Sequence, residues 1–199
     1  MQLYYTIYIA WVLWCLVTFF MKRSTLQYRY AVGLLMFIIL LPYEVIIYQF
    51  PIRLAFLFLL CFSWALIIRL KLTWKQYGLI IMIGYLYSIY FIWRLTNPIF
   101  TDRFFIATAV ILGFLIISIC VRTLDQRISL AISGVCFGQL LYSLICHSYH
   151  LQYTIEPLYS FQILLTILLL LAVQQVWKYY AEKMEQQLQV IKMKKRWHV

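Results

Sequence analysis

Residues 3–21, LYYTIYIAWVLWCLVTFFM, form an apolar run without a charged side chain, and Lys22 and Arg23 follow it directly. A membrane-spanning helix needs about 20 mostly apolar residues, so this run predicts such a helix. A secretory signal peptide carries its positive charges before its apolar segment, whereas here they come after it. Because positive residues accumulate on the cytoplasmic side, this order predicts a retained helix whose N-terminus lies outside the cytoplasm.

The rest of the chain is equally apolar. Of its 199 residues, 65% are hydrophobic and 12% are charged, whereas an average soluble domain is about 45–50% apolar and about 25% charged. This composition excludes an ordinary soluble domain, and it excludes a nucleic-acid-binding arm despite the net charge of +11. The sequence therefore predicts an all-α, polytopic transmembrane helix bundle that contacts the lipid bilayer. The stretches long enough to span it are Leu3–Met21, Tyr30–Tyr48, Pro51–Ile68, Gln76–Trp93, Phe104–Val121, Ile128–Cys146 and Pro157–Trp177.

The distribution of positive charges predicts the orientation of these seven spans. With the N-terminus outside, all but three of the 17 Lys and Arg residues lie on the cytoplasmic side, as the positive-inside rule requires. The three outer ones are Arg53, Arg94 and Arg103. The C-terminus then lies inside. Residues 1–177 form the bundle, and residues 178–199 form a cytoplasmic tail.

The second and third stretches are the ambiguous part of this assignment. Only Gln49 and Phe50 separate them, and Pro42 and Pro51 interrupt the helical pattern. Six spans with a re-entrant hairpin are therefore an alternative. We favour seven, because merging the pair would put the basic tail and the first basic loop on opposite sides of the membrane.

Glu44 is the one acidic residue inside a predicted span. A carboxylate in hydrocarbon usually faces a bundle interior or a water-filled cavity, which makes Glu44 a candidate for a proton or cation relay. It also lies about one helical turn from the outer end of its span, where it could pair with Arg53. This second interpretation, which we favour, makes Glu44 a structural residue.

Polar side chains gather at the predicted outer face, where they could form a shallow site for an anion or a lipid head group. Polar residues also belong in loops whatever their function, and we favour that interpretation. Two histidines in this group lie three residues apart, but they do not make a metal site, and we predict no metal and no cofactor. The group comprises Glu44, Arg53, Arg94, Asn97, Asp102, Arg103, His147, His150 and Glu156.

The sixth span carries small residues at four-residue spacing, Ser129 with Ser133 and Gly134 with Gly138. Small residues at this spacing let another helix approach closely, so they predict a packing seam. The pattern leaves open whether the partner helix belongs to the same chain or to another one.

The tail continues the seventh span without Gly or Pro, and apolar residues recur in it every three or four positions. The pattern predicts an amphipathic helix that lies on the inner leaflet or pairs with a partner helix. The basic end that follows attracts an anionic membrane surface or only fixes the topology. The apolar stripe is Val173, Trp177, Tyr180 or Ala181, Met184, Leu188 and Ile191, and the basic end is Lys192, Lys194, Lys195 and Arg196.

Residues 11–23, WVLWCLVTFFMKR, are followed by a basic loop and a chain of apolar helices. This stretch and layout, together with the chain length, resemble the YphA-type small membrane proteins of spore-forming Bacillus relatives. The resemblance implies an integral membrane protein of the cell envelope with a link to sporulation. It contains no catalytic motif, so it implies no site residue.

These observations favour a non-enzymatic, multi-pass protein of the cell membrane that acts in envelope or spore-envelope assembly through helix packing and its tail. Its predicted partners are the lipid bilayer and another membrane or cytoplasmic protein bound by the C-terminal helix. A second hypothesis is a small-solute transporter or membrane substrate-binding subunit with Glu44 near the solute path. A third is a lipid-modifying enzyme that uses His147, His150 and Glu156 at the outer surface.

Overall fold

The computed structural model describes residues 2–21, 23–47, 50–96, 101–149 and 157–196. Within these ranges the fold is all-α apart from one two-stranded hairpin. In chain order the elements are α1 (Gln2–Phe20), α2 (Thr25–Leu40), β1 (Glu44–Ile47), β2 (Phe50–Arg53), α3 (Leu54–Leu70), α4 (Trp74–Thr96), α5 (Asp102–Cys120), α6 (Leu124–Ser148) and α7 (Pro157–Arg196).

The helices alternate in direction through short connections, which gives the bundle two ends. We call the end that carries β1 and β2 the hairpin end. We call the opposite end, where α7 extends beyond its neighbours, the tail end. Five helices, α1, α4, α5, α6 and α7, are long and apolar enough to cross a membrane. The other two, α2 and α3, have 16 and 17 residues and measure about 24 and 26 Å, less than a hydrocarbon core of about 30 Å.

The predicted span Tyr30–Tyr48 is wrong at both ends, because the helix runs from Thr25 to Leu40. It begins earlier because Ser24 caps it, with the Ser24 side chain accepting a hydrogen bond from the Gln27 backbone N–H at 3.2 Å. It ends before Pro42, since proline has no backbone N–H to donate to the preceding turn and its ring clashes with that turn.

The hairpin follows from the β-branched residues after Pro42. Val45, Ile46 and Ile47 favour extended backbone, and they pair antiparallel with residues 50–52. The prediction that Glu44 lies inside a helical span is therefore wrong, since Glu44 begins β1 opposite Arg53. The predicted third span, Pro51–Ile68, begins instead at Leu54, because its first residues belong to β2.

The core of the bundle is built around α6, which packs against α3, α4, α5 and α7. Of the five long helices it is the most buried. The buried side chains along it are mostly small, and include Ser129, Ala131, Ser133 and Cys136. Small side chains allow neighbouring helices to approach α6 from several directions.

The closest approach is between α6 and α4, at three glycines. A Cβ atom on Gly134 would lie 2.6 Å from Ile83 Cγ2, and one on Gly138 would lie 2.7 Å from Tyr87 Cδ1. On α4, a Cβ on Gly84 would overlap the ring of Phe137. The small residues of the sixth span thus face a helix of the same chain, which resolves the alternative that the sequence leaves open.

We predict that Gly138→Ala lowers the stability of the bundle by about 1–3 kcal/mol, because the added methyl group overpacks the contact with Tyr87. Gly78→Ala on α4 is the matched control, since a Cβ there would meet nothing within 4 Å. Thermal unfolding of both variants in the same detergent makes the comparison. Equal unfolding temperatures would contradict the close α4–α6 contact.

Candidate functional site

The hairpin carries the first polar pair at the hairpin end. Arg53 Nη2 lies 2.6 Å from Glu44 Oε1, and Arg53 Nη1 donates a hydrogen bond to the Leu41 carbonyl at 3.1 Å. The Glu44 side chain is 46% exposed and that of Arg53 is 15% exposed. Arg53 therefore joins the two strands and also satisfies a carbonyl group at the end of α2. Glu44 faces a positive charge at the edge of the bundle.

A second polar pair joins α4, α5 and α7 at the same end. Arg94 Nη2 lies 2.8 Å from Asp102 Oδ1, and the Tyr159 hydroxyl donates to Asp102 Oδ2 at 2.8 Å. The Arg94 guanidinium also stacks on the Tyr159 ring, with its carbon 3.9 Å from the ring centroid. Asp102 is the first residue of α5, where the positive end of the helix dipole stabilises a carboxylate.

The structure thus brings together only some of the polar residues that were predicted to gather at the outer face. Four of these residues form the two ion pairs just described, and Arg103 and His147 are exposed on α5 and α6. Asn97, His150 and Glu156 lie outside the described residues. Because Arg53 and Arg94 each face a carboxylate already, their charges are largely offset, and the geometry is weak support for an anion site.

A buried polar network, which we call the central network, lies inside the bundle and includes the residue after Tyr159 on α7. The Tyr87 hydroxyl donates to Gln139 Oε1 at 3.0 Å and lies 2.5 Å from Ser160 Oγ, and Ser160 Oγ lies 2.6 Å from the same Gln139 oxygen. Gln139 is 3% exposed and Ser160 is 1% exposed. The three side chains join α4, α6 and α7. Their mutual hydrogen bonds offset the unfavourable burial of polar groups.

A buried arginine joins three helices at the tail end. Arg127 Nε donates to the Val121 carbonyl at 2.7 Å, Nη2 donates to the Ser118 carbonyl at 3.0 Å, and Nη1 donates to Gln174 Oε1 at 2.8 Å. The first two acceptors lie at the end of α5, where backbone carbonyls have no partner within the helix. Arg127 on α6 therefore caps α5 and also holds α7.

Sequence reasoning missed the central network and the role of Arg127. It searched the spans for charged residues, whereas Tyr87, Gln139 and Ser160 are uncharged. A useful signal was available, because polar side chains in a predicted span must find partners within the bundle. The count of positive charges places Arg127 on the cytoplasmic side, but its burial depends on where α5 and α7 lie.

The described His, Cys, Asp and Glu side chains are dispersed over the bundle. Among the described residues no group of three or more His, Cys, Asp or Glu side chains could hold a metal ion. The cysteines at positions 15, 61, 120, 136 and 146 form no disulfide bonds. The polar groups described above are instead arranged as contacts between helices.

The seventh helix is the remaining candidate, because it is much longer than the bundle. Its 40 residues measure about 60 Å, twice the thickness of a hydrocarbon core of about 30 Å. No break separates the predicted bundle from the predicted tail at Trp177, and the side chains of residues 177–187 are all exposed. The basic end at Lys192, Lys194, Lys195 and Arg196 is helical in its backbone.

The sequence model of a family described as YphA-like integral membrane protein matches residues 2–197 of this chain. No curated protein and no solved structure matches it. The match covers the bundle and the whole of α7. The suspected resemblance of the sequence to YphA-type proteins is confirmed.

We predict that Arg127→Met lowers the stability of the protein by at least about 2 kcal/mol, since it leaves buried acceptors on α5 and α7 without a donor. Arg122→Met is the matched control, because Arg122 is exposed in the same connection. Chemical unfolding in detergent measures both. Equal losses in the two variants would show that the hydrogen bonds of Arg127 do not hold the helices together.

Proposed function

The chain belongs to the YphA-like integral membrane protein family, and from this premise we propose a non-catalytic protein of the cell membrane that presents α7 to a partner protein. It is a multi-pass membrane protein in contact with lipid. The observation that carries the proposal is the unbroken course of α7 from Pro157 to Arg196. The proposed role is assembly of the cell envelope. A role specific to the spore envelope stays a prediction.

The proposed topology has seven spans, with the N-terminus outside and the C-terminus inside. The hairpin supports it, because Tyr43, Glu44, Val45 and Ile46 are exposed and the strands pair only with each other. Unpaired strand edges are strongly disfavoured in hydrocarbon, so the hairpin belongs at or beyond the interface. That position requires α2 and α3 each to cross a locally thin bilayer, and it disfavours a re-entrant pair.

The unbroken course of α7 favours a projecting helix over one that lies on the inner leaflet. To lie flat, α7 would have to bend sharply where it leaves the membrane. Sharp bends occur at Pro, at Gly/Ser pairs or at inserted groups, and residues 158–196 contain neither Pro nor Gly. A helix that continues straight holds its apolar stripe in water, away from the lipid.

The exposed stripe supports a protein partner. Trp177 is 75% exposed, Tyr180 50% and Met184 63%, and these residues share one face of α7. Apolar side chains on one face of a projecting helix are typical of a surface that binds another amphipathic helix or a groove. The proposed partner is therefore a protein with an apolar helix or groove at the cytoplasmic surface of the membrane.

The geometry lends less support to the other two hypotheses. A transporter would need Glu44 near a solute path, whereas Glu44 is half exposed and paired with Arg53 in the hairpin. A lipid-modifying enzyme would need His147 beside further catalytic groups. His147 is exposed at the end of α6, and its suggested companions, His150 and Glu156, lie outside the described residues.

Labelling of single cysteines tests the topology in a variant without the native cysteines. A membrane-impermeant maleimide added to intact cells is expected to react with Ile46→Cys, at the hairpin end. It is expected to react with Lys75→Cys, at the tail end, only after the cells are opened. Both native side chains are exposed. Protection of position 46, or reaction of position 75 in intact cells, would contradict the proposed orientation.

A photoreactive residue at position 180 tests the partner. We expect it to form an adduct with a protein in cells, and we expect Met184→Asp to reduce that adduct by at least about tenfold, because burial of a methionine is worth about 1.5–3 kcal/mol. Gln186→Asp adds the same charge on the opposite face of α7 and is expected to keep the adduct. Adducts with lipid alone, or equal effects of the two substitutions, would refute the proposal.

A further inference from the structure

A cavity of about 320 Å³ lies between α1, α2, α3, α6 and α7. Its volume falls in the range of about 300–1,000 Å³ that is typical of small-molecule sites. Its walls are apolar over most of their area and include Leu13, Phe37, Phe58, Ile132 and Leu164. The cavity is separate from the ion pairs, from the central network and from the exposed stripe of α7.

The cavity runs from the tail end to the middle of the bundle. Its wall on α2 extends from Leu26 to Phe37, which is about 17 Å along the helix. Half of a hydrocarbon core is about 15 Å. The depth of the cavity therefore matches the thickness of one leaflet. Under the topology proposed above, that leaflet is the cytoplasmic one.

Water is a poor occupant for such a space. A buried water molecule needs two to four polar partners, and apolar cavities of this kind stay dry. The deep part of the cavity offers hydrocarbon side chains only, whereas a bilayer surrounds the bundle with hydrocarbon chains. An acyl chain that enters from the leaflet would replace empty space by van der Waals contacts.

The polar side chains of the cavity wall lie at its tail end, which we call the mouth. Ser24, Tyr30, Asp125 and Gln175 line that end, and the Tyr30 hydroxyl donates to Asp125 Oδ1 at 2.8 Å. Asp125 thus places a carboxylate at the level where the head of a lipid would lie.

We propose that the cavity binds one acyl chain of a cytoplasmic-leaflet phospholipid whose head carries an ammonium group, as phosphatidylethanolamine does. The ammonium donates hydrogen bonds to the Asp125 carboxylate. An anionic phospholipid without an ammonium group would bring its negative charge close to Asp125 with no positive charge to offset the repulsion. The site is thus selective for a zwitterionic head, while the chain supplies most of the contact area.

Photolabelling of the full-length protein tests this site. The protein is reconstituted into vesicles of phosphatidylethanolamine and phosphatidylglycerol in equal parts, and a photoreactive acyl chain is carried by one lipid or by the other. We expect labelling to concentrate on the cavity walls of α1, α2, α6 and α7, and to be stronger with phosphatidylethanolamine. Labelling spread evenly around the bundle would overturn the site. Equal or stronger labelling with phosphatidylglycerol would overturn its selectivity.

Two substitutions fill the cavity, and one serves as their control. Ala172→Trp on α7 places a large ring in it and is expected to abolish labelling of the walls. If Ala172→Trp does not fold, Gly33→Leu on α2 is the second filled variant. A Cβ on Gly33 would meet Phe62 at an ordinary contact distance of 3.5 Å, so this position has room for a side chain. Ala107→Trp on the exposed face of α5 is expected to leave labelling unchanged. Unchanged labelling in the filled variants would overturn the proposal.

Asp125→Asn tests the head group separately. It keeps an acceptor for Tyr30 but removes the negative charge at the mouth. We expect the preference for phosphatidylethanolamine over phosphatidylglycerol to fall about fivefold, which corresponds to ~1 kcal/mol. An unchanged preference would show that Asp125 does not bind the ammonium group. If only the proposed topology failed, the same cavity walls would still be labelled, but by a lipid of the other leaflet.

Discussion

The close approach of α4 and α6 is the contact on which the rest of the bundle depends. In lipid, helices gain little from the hydrophobic effect, so they associate through packing and a few hydrogen bonds. Gly84, Gly134 and Gly138 bring the two backbones near enough for Ser88 Oγ to donate to the Gly138 carbonyl at 2.9 Å. Because α6 also packs against α3, α5 and α7, its position fixes theirs.

Polar side chains then join the helices in three sets. Arg94 and Asp102 belong to the set at the hairpin end, Tyr87 and Gln139 to the central network, and Arg127 to the set at the tail end. Each set includes a contact to α7, through Tyr159, Ser160 or Gln174. The seventh helix is therefore held in its first turn, at Tyr159 and Ser160, and again 14 residues later at Gln174. These two levels fix the direction of α7 within the bundle.

The sequence predicts the apolar helices well and their polar contacts poorly. Composition alone identifies the membrane class, and the spacing of Gly134 and Gly138 predicts a packing seam on the helix that lies against α4. Both inferences depend on local pattern. The end of α2 was misplaced because apolar Val45, Ile46 and Ile47 look the same in a span and in a strand. Pro42 carries the information that separates the two, because it has no backbone N–H to continue the hydrogen bonds of the helix.

The contacts of Gln139 and Arg127 could not be predicted, because they depend on residues 21 and 47 positions away in the chain. Asp102 and Arg94 pair across the short connection between α4 and α5. Tyr159, which completes that cluster from α7, is 57 positions away. Such contacts follow from the order in which helices pack, and a single sequence does not specify that order.

The distance between two spin labels on α7 tests the central claim most directly. Labels at positions 158 and 187, in a variant free of other cysteines and reconstituted in bilayers, are separated by 29 residues. A straight helix predicts a backbone separation of about 44 Å between these positions. A bend at Trp177 that laid the end of α7 on the membrane would shorten it to about 32 Å. The longer distance supports a projecting helix, and the shorter one would contradict it.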